Sequence, residues 1–178
     1  MATDQALAAR LRALIHDVPD FPKPGIVFRD ITALLADARA FADTVNAIAE
    51  PHRAAGVAAV AGIESRGFIL GGAVARELGA GFVAVRKQGR LPRATLTEAY
   101  NLEYGEAVLE VHADALSAGE RVLIVDDLLA TGGTATAAAS LFERLGCQVV
   151  GLSFLVELAG LGGAEAVARW PHGALVVI

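Results

Sequence analysis

The sequence predicts an α/β fold, a doubly wound, mostly parallel sheet formed by residues 1–178 as one domain. Three observations predict it. Strand-like and helix-like stretches alternate through the middle of the chain, the order that builds parallel sheets. Val122-Leu123-Ile124-Val125 is an unbroken aliphatic run, the pattern of a strand buried on both faces. Two such runs end in a glycine-bearing turn that opens a helix, which puts both turns at strand carboxyl ends, where open α/β sheets bind ligands. A length of 178 residues supplies one full core. Hydrophobic residues at 54% against 20% charged exclude a disordered chain.

Residues 3–15 set Leu7, Leu11, Leu14 and Ile15 at helical spacing, an amphipathic start. Pro22 and Pro24 then enforce an extended segment ending in Val27-Phe28-Arg29-Asp30. A Phe between Arg and Asp, just past a Pro-Gly turn, suits a ring presented to a ligand as well as one buried in a core. Asp37 starts a helix with Phe41, Val45 and Ile48 on one face, which Pro51 should break or kink. Residues 57–63 read as the first core strand. Gly62-Ile63-Glu64-Ser65-Arg66-Gly67 has the glycine spacing of a Walker A loop, but Phe68 and Ile69 stand where Lys and Ser/Thr are required. That excludes an ATPase loop and leaves a strand-to-helix turn offering backbone N–H groups and Arg66 to an anion.

Gly79-Ala80-Gly81-Phe82-Val83-Ala84 spells a dinucleotide pattern, yet it ends a helix and enters a strand, so it is a helix C-cap. The strand 82–85 runs into Arg86-Lys87-Gln88-Gly89-Arg90-Leu91-Pro92-Arg93, and the polar stretch continues without clear periodicity to Tyr104. A structureless connection of that length in a compact domain reads as a lid or a disordered segment. Its four cations, set between two anion turns, favour a cationic lid over residues 87–104 over a solvated charge run. Residues 105–111 alternate as a strand, and 114–116 form a short helical turn. The aliphatic strand from Arg121 ends in Asp126-Asp127, and Ala130-Thr131-Gly132-Gly133-Thr134 leads into an Ala-rich helix over 135–145. Residues 149–156 read as the next buried strand, ending at Glu157-Leu158. A loop with Gly160, Gly162 and Gly163, a short helix over 164–170 and a last strand over 174–178 complete the chain.

Strand, glycine turn and helix start together make an anion site, to which the hydroxyls of Thr131 and Thr134 can donate. Two carboxylates beside a phosphate would repel it. They make sense if the ligand also carries a divalent metal or sugar hydroxyls. A solvated Asp pair before an ordinary helix cap is the bland alternative, and it leaves the flanking aliphatic run and the Thr-Gly-Gly-Thr unexplained.

Val125-Asp126-Asp127-Leu128-Leu129-Ala130-Thr131-Gly132-Gly133-Thr134 resembles the phosphoribosyl pyrophosphate (PRPP) motif of type I phosphoribosyltransferases, in the wording of the adenine-using members. Phe21-Pro22-Lys23-Pro24-Gly25-Ile26-Val27-Phe28-Arg29-Asp30, Glu64-Ser65-Arg66-Gly67-Phe68, Val85-Arg86-Lys87 and Leu102-Glu103-Tyr104-Gly105 match too, in the family's order. The resemblance runs from about residue 20 to residue 158 and implies purine salvage: adenine and PRPP give AMP and pyrophosphate. It implies that Ala130, Thr131, Gly132, Gly133 and Thr134 anchor the 5′-phosphate. Asp126 and Asp127 would hold the ribose, and Glu103 is the candidate for handling a purine proton. Ser65, Arg66, Arg86, Lys87 and Arg90 would face pyrophosphate. Val27, Phe28, Arg29, Tyr104 and Leu158 would complete the substrate site, with Phe28 stacking on adenine under a hood built from residues 20–36 and 157–178. Mg²⁺ is implied as a cation carried mainly by PRPP, and a homodimer as the assembly. In 6-oxopurine enzymes an Asp precedes the Thr-Gly of the phosphate loop; Ala130 stands there, which favours adenine.

The net charge of −5 argues against a general grip on nucleic acid. No apolar run reaches a membrane span, and Asp4 among the first residues does not read as a signal peptide. The lone Cys147 reads as a reduced core residue, consistent with cytoplasm. His16, His52, His112 and His172 have no ligand spacing between them. Two rival readings share the fold: a transferase for another base, and a PRPP- or nucleotide-sensing regulator. Residues 1–20 are short and not basic, unlike a DNA-binding segment.

Overall fold

Leu123 and Val125 pack on one side of the central sheet, Val122 and Ile124 on the other, so the aliphatic run is divided between two cores. The computed structural model describes residues 4–101 and 106–178. Its elements are α1 (Gln5–Ala13), β1 (His16–Pro19), β2 (Val27–Asp30), α2 (Thr32–Ala36), α3 (Ala38–Ala49), β3 (Ala59–Ile63), α4 (Arg66–Leu78), β4 (Gly81–Lys87) and β5 (Thr95–Asn101). β6 (Glu106–His112), β7 (Arg121–Leu129), α5 (Gly133–Arg144), β8 (Gln148–Glu157), α6 (Gly163–Ala166) and β9 (His172–Val177) follow.

Seven strands form the main sheet in the order β5-β6-β4-β3-β7-β8-β9. From β4 to β9 neighbours run parallel; β6 is antiparallel to both β4 and β5. Leu11, Ile48, Leu70 and Val74 from α1, α3 and α4 cover one face, and Ala138, Leu141 and Phe142 from α5 cover the other. The sheet is doubly wound, as the alternation of elements predicts. No helix among the described residues is long and apolar enough to cross a membrane.

Local chemistry sets the boundaries. Asp37 caps α3 by accepting from the Ala40 N–H at 2.8 Å, and Pro51 confines the chain after Ala49 to a single 3₁₀ turn. Gly79 closes α4 in the left-handed region at φ 66°, the C-cap that the sequence indicates.

Several expectations change. The stretch read as structureless to Tyr104 contains β5, which pairs with β6 from Thr95↔His112 to Asn101↔Glu106. Its apolar face is short: Leu96 and Tyr100 pack against the α5 core. Glu98, two residues from each, accepts from Ser140 at 3.0 Å and Arg144 at 2.6 Å. An acid with partners on a helix thus breaks the alternation that would have marked the strand. Second, β1 pairs antiparallel with β2, although all four β1 residues are exposed and carry no hydrophobic signal. Third, residues 172–177, expected in the hood, form an edge strand of the main sheet beside β8. Residues 114–116 form a turn instead of a helix, and α6 is four residues long.

Candidate active site

The carboxyl ends of β3 and β7 and the amino ends of α4 and α5 meet at a cavity of about 510 Å³. Its floor suits an anion. Gly132, at φ 82°, precedes α5, whose first turn carries no acid. The backbone N–H groups there and the helix dipole favour an anion. Among the described residues the hydroxyls of Thr131 and Thr134 have no protein partner, and both line the cavity. The loop leans on α6: a β-carbon on Gly132 would lie 2.7 Å from the Ala166 β-carbon, and one on Gly163 would lie 2.3 Å from the Ala130 carbonyl oxygen. Gly163→Ala should therefore push the loop out of place. Its KM for PRPP should rise at least about tenfold with KM for adenine little changed, since an ångström-scale misplacement can cost about 10²-fold. Unchanged PRPP kinetics would show that the loop does not need this wall.

Above the loop sit the two acids. Asp127 is 7% exposed and pairs with Arg66 at 2.7 Å. Asp126 keeps some surface on the cavity, yet its carboxyl is walled by Gly67, where a β-carbon would approach Oδ1 to 2.7 Å. Burial first, then the Asp127 charge, push the Asp126 carboxyl well above the usual range, although it accepts from the Asp127 N–H at 2.9 Å. Arg66 is a hub. Besides Asp127 it donates to the Arg29 carbonyl at 3.0 Å and lies 4.7 Å from the centre of the Phe28 ring. The edge of Phe21 meets Phe28 at 5.2 Å. Phe28 thus stands on the cavity wall.

The cations of β4 are held by Glu64, which accepts from Arg86 Nε and from the Lys87 N–H, both at 2.9 Å. Burial opposes ionisation of Glu64, but these donors outweigh it and keep its carboxyl below the usual range. Lys87 lines the cavity; Arg86 turns to the Arg90 carbonyl at 3.0 Å, and Arg93 pairs with Asp114. No group of three or more His, Cys, Asp or Glu side chains among the described residues could hold a metal. The carboxylate oxygens of Asp126 and Asp127 are nevertheless the hard donors that Mg²⁺ accepts, directly or through water.

A family model described as the phosphoribosyl transferase domain matches residues 32–169. An adenine phosphoribosyltransferase of Maricaulis maris (strain MCS10) is 54% identical over 157 residues, 88% of this chain and 90% of that one. The chain belongs to the adenine phosphoribosyltransferase family. A relative of that name from Jannaschia sp. (strain CCS1) is 55% identical over 157 residues, 88% of each chain. Among solved structures, the adenine phosphoribosyltransferase of Rhodothermus marinus DSM 4252 superposes with a TM-score of 0.94 at 48% identity, covering 98% of this chain and 100% of that one. The Saccharomyces cerevisiae enzyme, solved with D-DIAB and adenine, gives 0.90 at 35% identity over 97% and 99% of the two chains.

Of the residues that the phosphoribosyltransferase resemblance singles out, Phe28, Ser65, Arg66, Lys87, Asp126, Asp127, Ala130, Thr131, Gly132, Gly133 and Thr134 line one cavity. Others do not. The Arg29 guanidinium turns to Asp17 at 2.6 Å, so only its backbone faces Arg66. Val27 is exposed, Arg86 and Arg90 do not line the cavity, and Leu158 packs partly into the core while donating to the Leu129 carbonyl. Glu103 and Tyr104 lie outside the described residues. Glu64 and Tyr100 line the cavity without having been singled out. Glu64, an acid directly before an anion turn, was a legible signal; Tyr100 becomes one only once β5 is known.

Proposed function

We propose that the protein transfers the phosphoribosyl group of PRPP to adenine, releasing AMP and pyrophosphate. The observation that carries this is one cavity lined by the phosphate-cradling loop, the acid pair and the Phe28 ring of β2. The carbon–oxygen bond to pyrophosphate breaks as the bond to the base forms, so negative charge grows on the leaving group and positive charge on the sugar. Such a reaction needs position and electrostatics more than covalent help.

Residues 130–134 would seat the 5′-phosphate and Asp126 and Asp127 the ribose hydroxyls, their field steadying the cationic sugar. Lys87, Arg86 and Arg90 would meet the pyrophosphate. Mg²⁺, bound with PRPP, would supply further positive charge there. A second copy of the chain is the partner that the family resemblance implies; gel filtration should give a mass near twice 18.3 kDa, and a monomer would refute it. The function is tested by incubating the protein with adenine, PRPP and Mg²⁺. AMP and pyrophosphate should form in equal amounts, and excess chelator should stop both. Absence of AMP at saturating substrates would overturn the assignment.

A further inference from the structure

Asp127 and Glu110 are the two buried carboxylates among the described residues, and only Asp127 has a cation. Glu110, on β6, is 3% exposed and does not line the cavity. Its Oε1 accepts from the backbone N–H of Arg90 at 2.7 Å and of Leu91 at 2.8 Å. Burial works against its charge, yet the N–H groups of Leu91, Arg90 and Gly89 and the Thr95 hydroxyl outweigh it and hold the carboxyl below the usual range. A carboxylate is costly to bury, and here neutral donors, three backbone N–H groups and the Thr95 hydroxyl, offset the cost.

What those donors belong to gives the residue its meaning. Gly89, at φ 82°, turns the chain after β4, and Gln88 N–H is fixed on the Val108 carbonyl at 2.9 Å. The Arg90 carbonyl then accepts from Arg86, whose Nε is held by Glu64, which also takes the Lys87 N–H. The path runs from a buried anion on β6, through the turn, to Arg86 and to Lys87, which lines the cavity.

We propose that Glu110 is a positioning residue that gathers the turn 89–91 around its carboxylate and so presets Arg86, Lys87 and Arg90 for the pyrophosphate of PRPP. This rests on the reading that those cations meet pyrophosphate, and it adds the group that places them. A neutral amide at this position keeps the shape, but turns an NH₂ or a weaker acceptor towards several N–H donors.

The test is steady-state kinetics of Glu110→Gln and Glu110→Asp beside Lys87→Ala, with thermal unfolding of each. Losing a charge-assisted hydrogen bond changes an equilibrium on the order of tenfold or more. Glu110→Gln should therefore raise KM for PRPP and weaken inhibition by pyrophosphate about tenfold, with KM for adenine within about twofold. Glu110→Asp, retaining the charge, should recover part of the loss, and covers the case in which Glu110→Gln does not fold. Lys87→Ala should raise the same KM. If Lys87→Ala raises it while neither Glu110 variant does, the positioning role is overturned. An equal rise in both substrates' KM with a lowered melting point would overturn it too, as a merely structural effect. If Lys87→Ala leaves KM for PRPP unchanged, the pyrophosphate reading itself falls, and this role with it.

Discussion

Adenine should be used with a kcat/KM about 10⁴-fold above those of hypoxanthine and guanine, the discrimination that a site built to hydrogen-bond one edge achieves against its mismatch. The backbone of β2 supplies the reason. In the antiparallel pair with β1, Phe28 lies opposite Val18 and Arg29 opposite Asp17. Along such a pair the N–H and C=O groups of successive residues point alternately towards and away from the partner. The Arg29 carbonyl points to Arg66, away from β1. The N–H of Arg29 and the carbonyl of Val27, two residues back, therefore face the same way and are a donor and an acceptor for a ligand. Adenine offers the complement, an amino donor at C6 and an acceptor at N1. Hypoxanthine and guanine reverse both, placing two donors and two acceptors face to face. Stacking on Phe28 contributes about 1–3 kcal/mol to any base, so Phe28→Ala should weaken adenine use without creating guanine use. Comparable kcat/KM for adenine and hypoxanthine would refute the β2 reading and leave the phosphate loop standing.

What the sequence made legible follows from how far each feature depends on its neighbours in the chain. The β7 run reads correctly because both faces of the strand are buried, which makes an unbroken aliphatic pattern the local consequence. The phosphate loop is legible because its turn, hydroxyls and helix start are contiguous. Arg66 is legible as a cation at a turn, but its pairing with Asp127 and the Arg29 carbonyl depends on α4, β7 and β2 meeting. Glu110 gave no signal at all: an acid in an alternating strand reads as a solvated face, and only the fold puts a backbone turn over it. The same holds for Glu98, whose bonds to Ser140 and Arg144 hid β5 from a pattern-based reading.

The two acids should respond in opposite senses to the same substitution. Asp127→Asn leaves Arg66 without its buried partner; loss of that contact, with Arg66 partly exposed, should cost about 1–3 kcal/mol of stability. Asp126→Asn should stabilise. Its folded carboxyl binds a proton more tightly than the unfolded one, through burial and then repulsion from Asp127, so the folded state loses stability as pH rises from the unfolded to the folded titration range. An amide removes that loss and can still accept from the Asp127 N–H. Both changes should nevertheless lower kcat/KM for PRPP, because both residues line the cavity where the ribose would lie. Asp127→Asn should lower it by about 10–10²-fold, the worth of a charge-assisted contact, and it also releases Arg66 from the wall it shares with Phe28. Asp126→Asn should cost less, its charge being already the more weakly held. Thermal unfolding at pH 7 with PRPP saturation kinetics separates the two effects. A raised melting point for Asp127→Asn would remove the hub role of Arg66, whereas wild-type PRPP kinetics in both variants would remove the acid pair from the ribose.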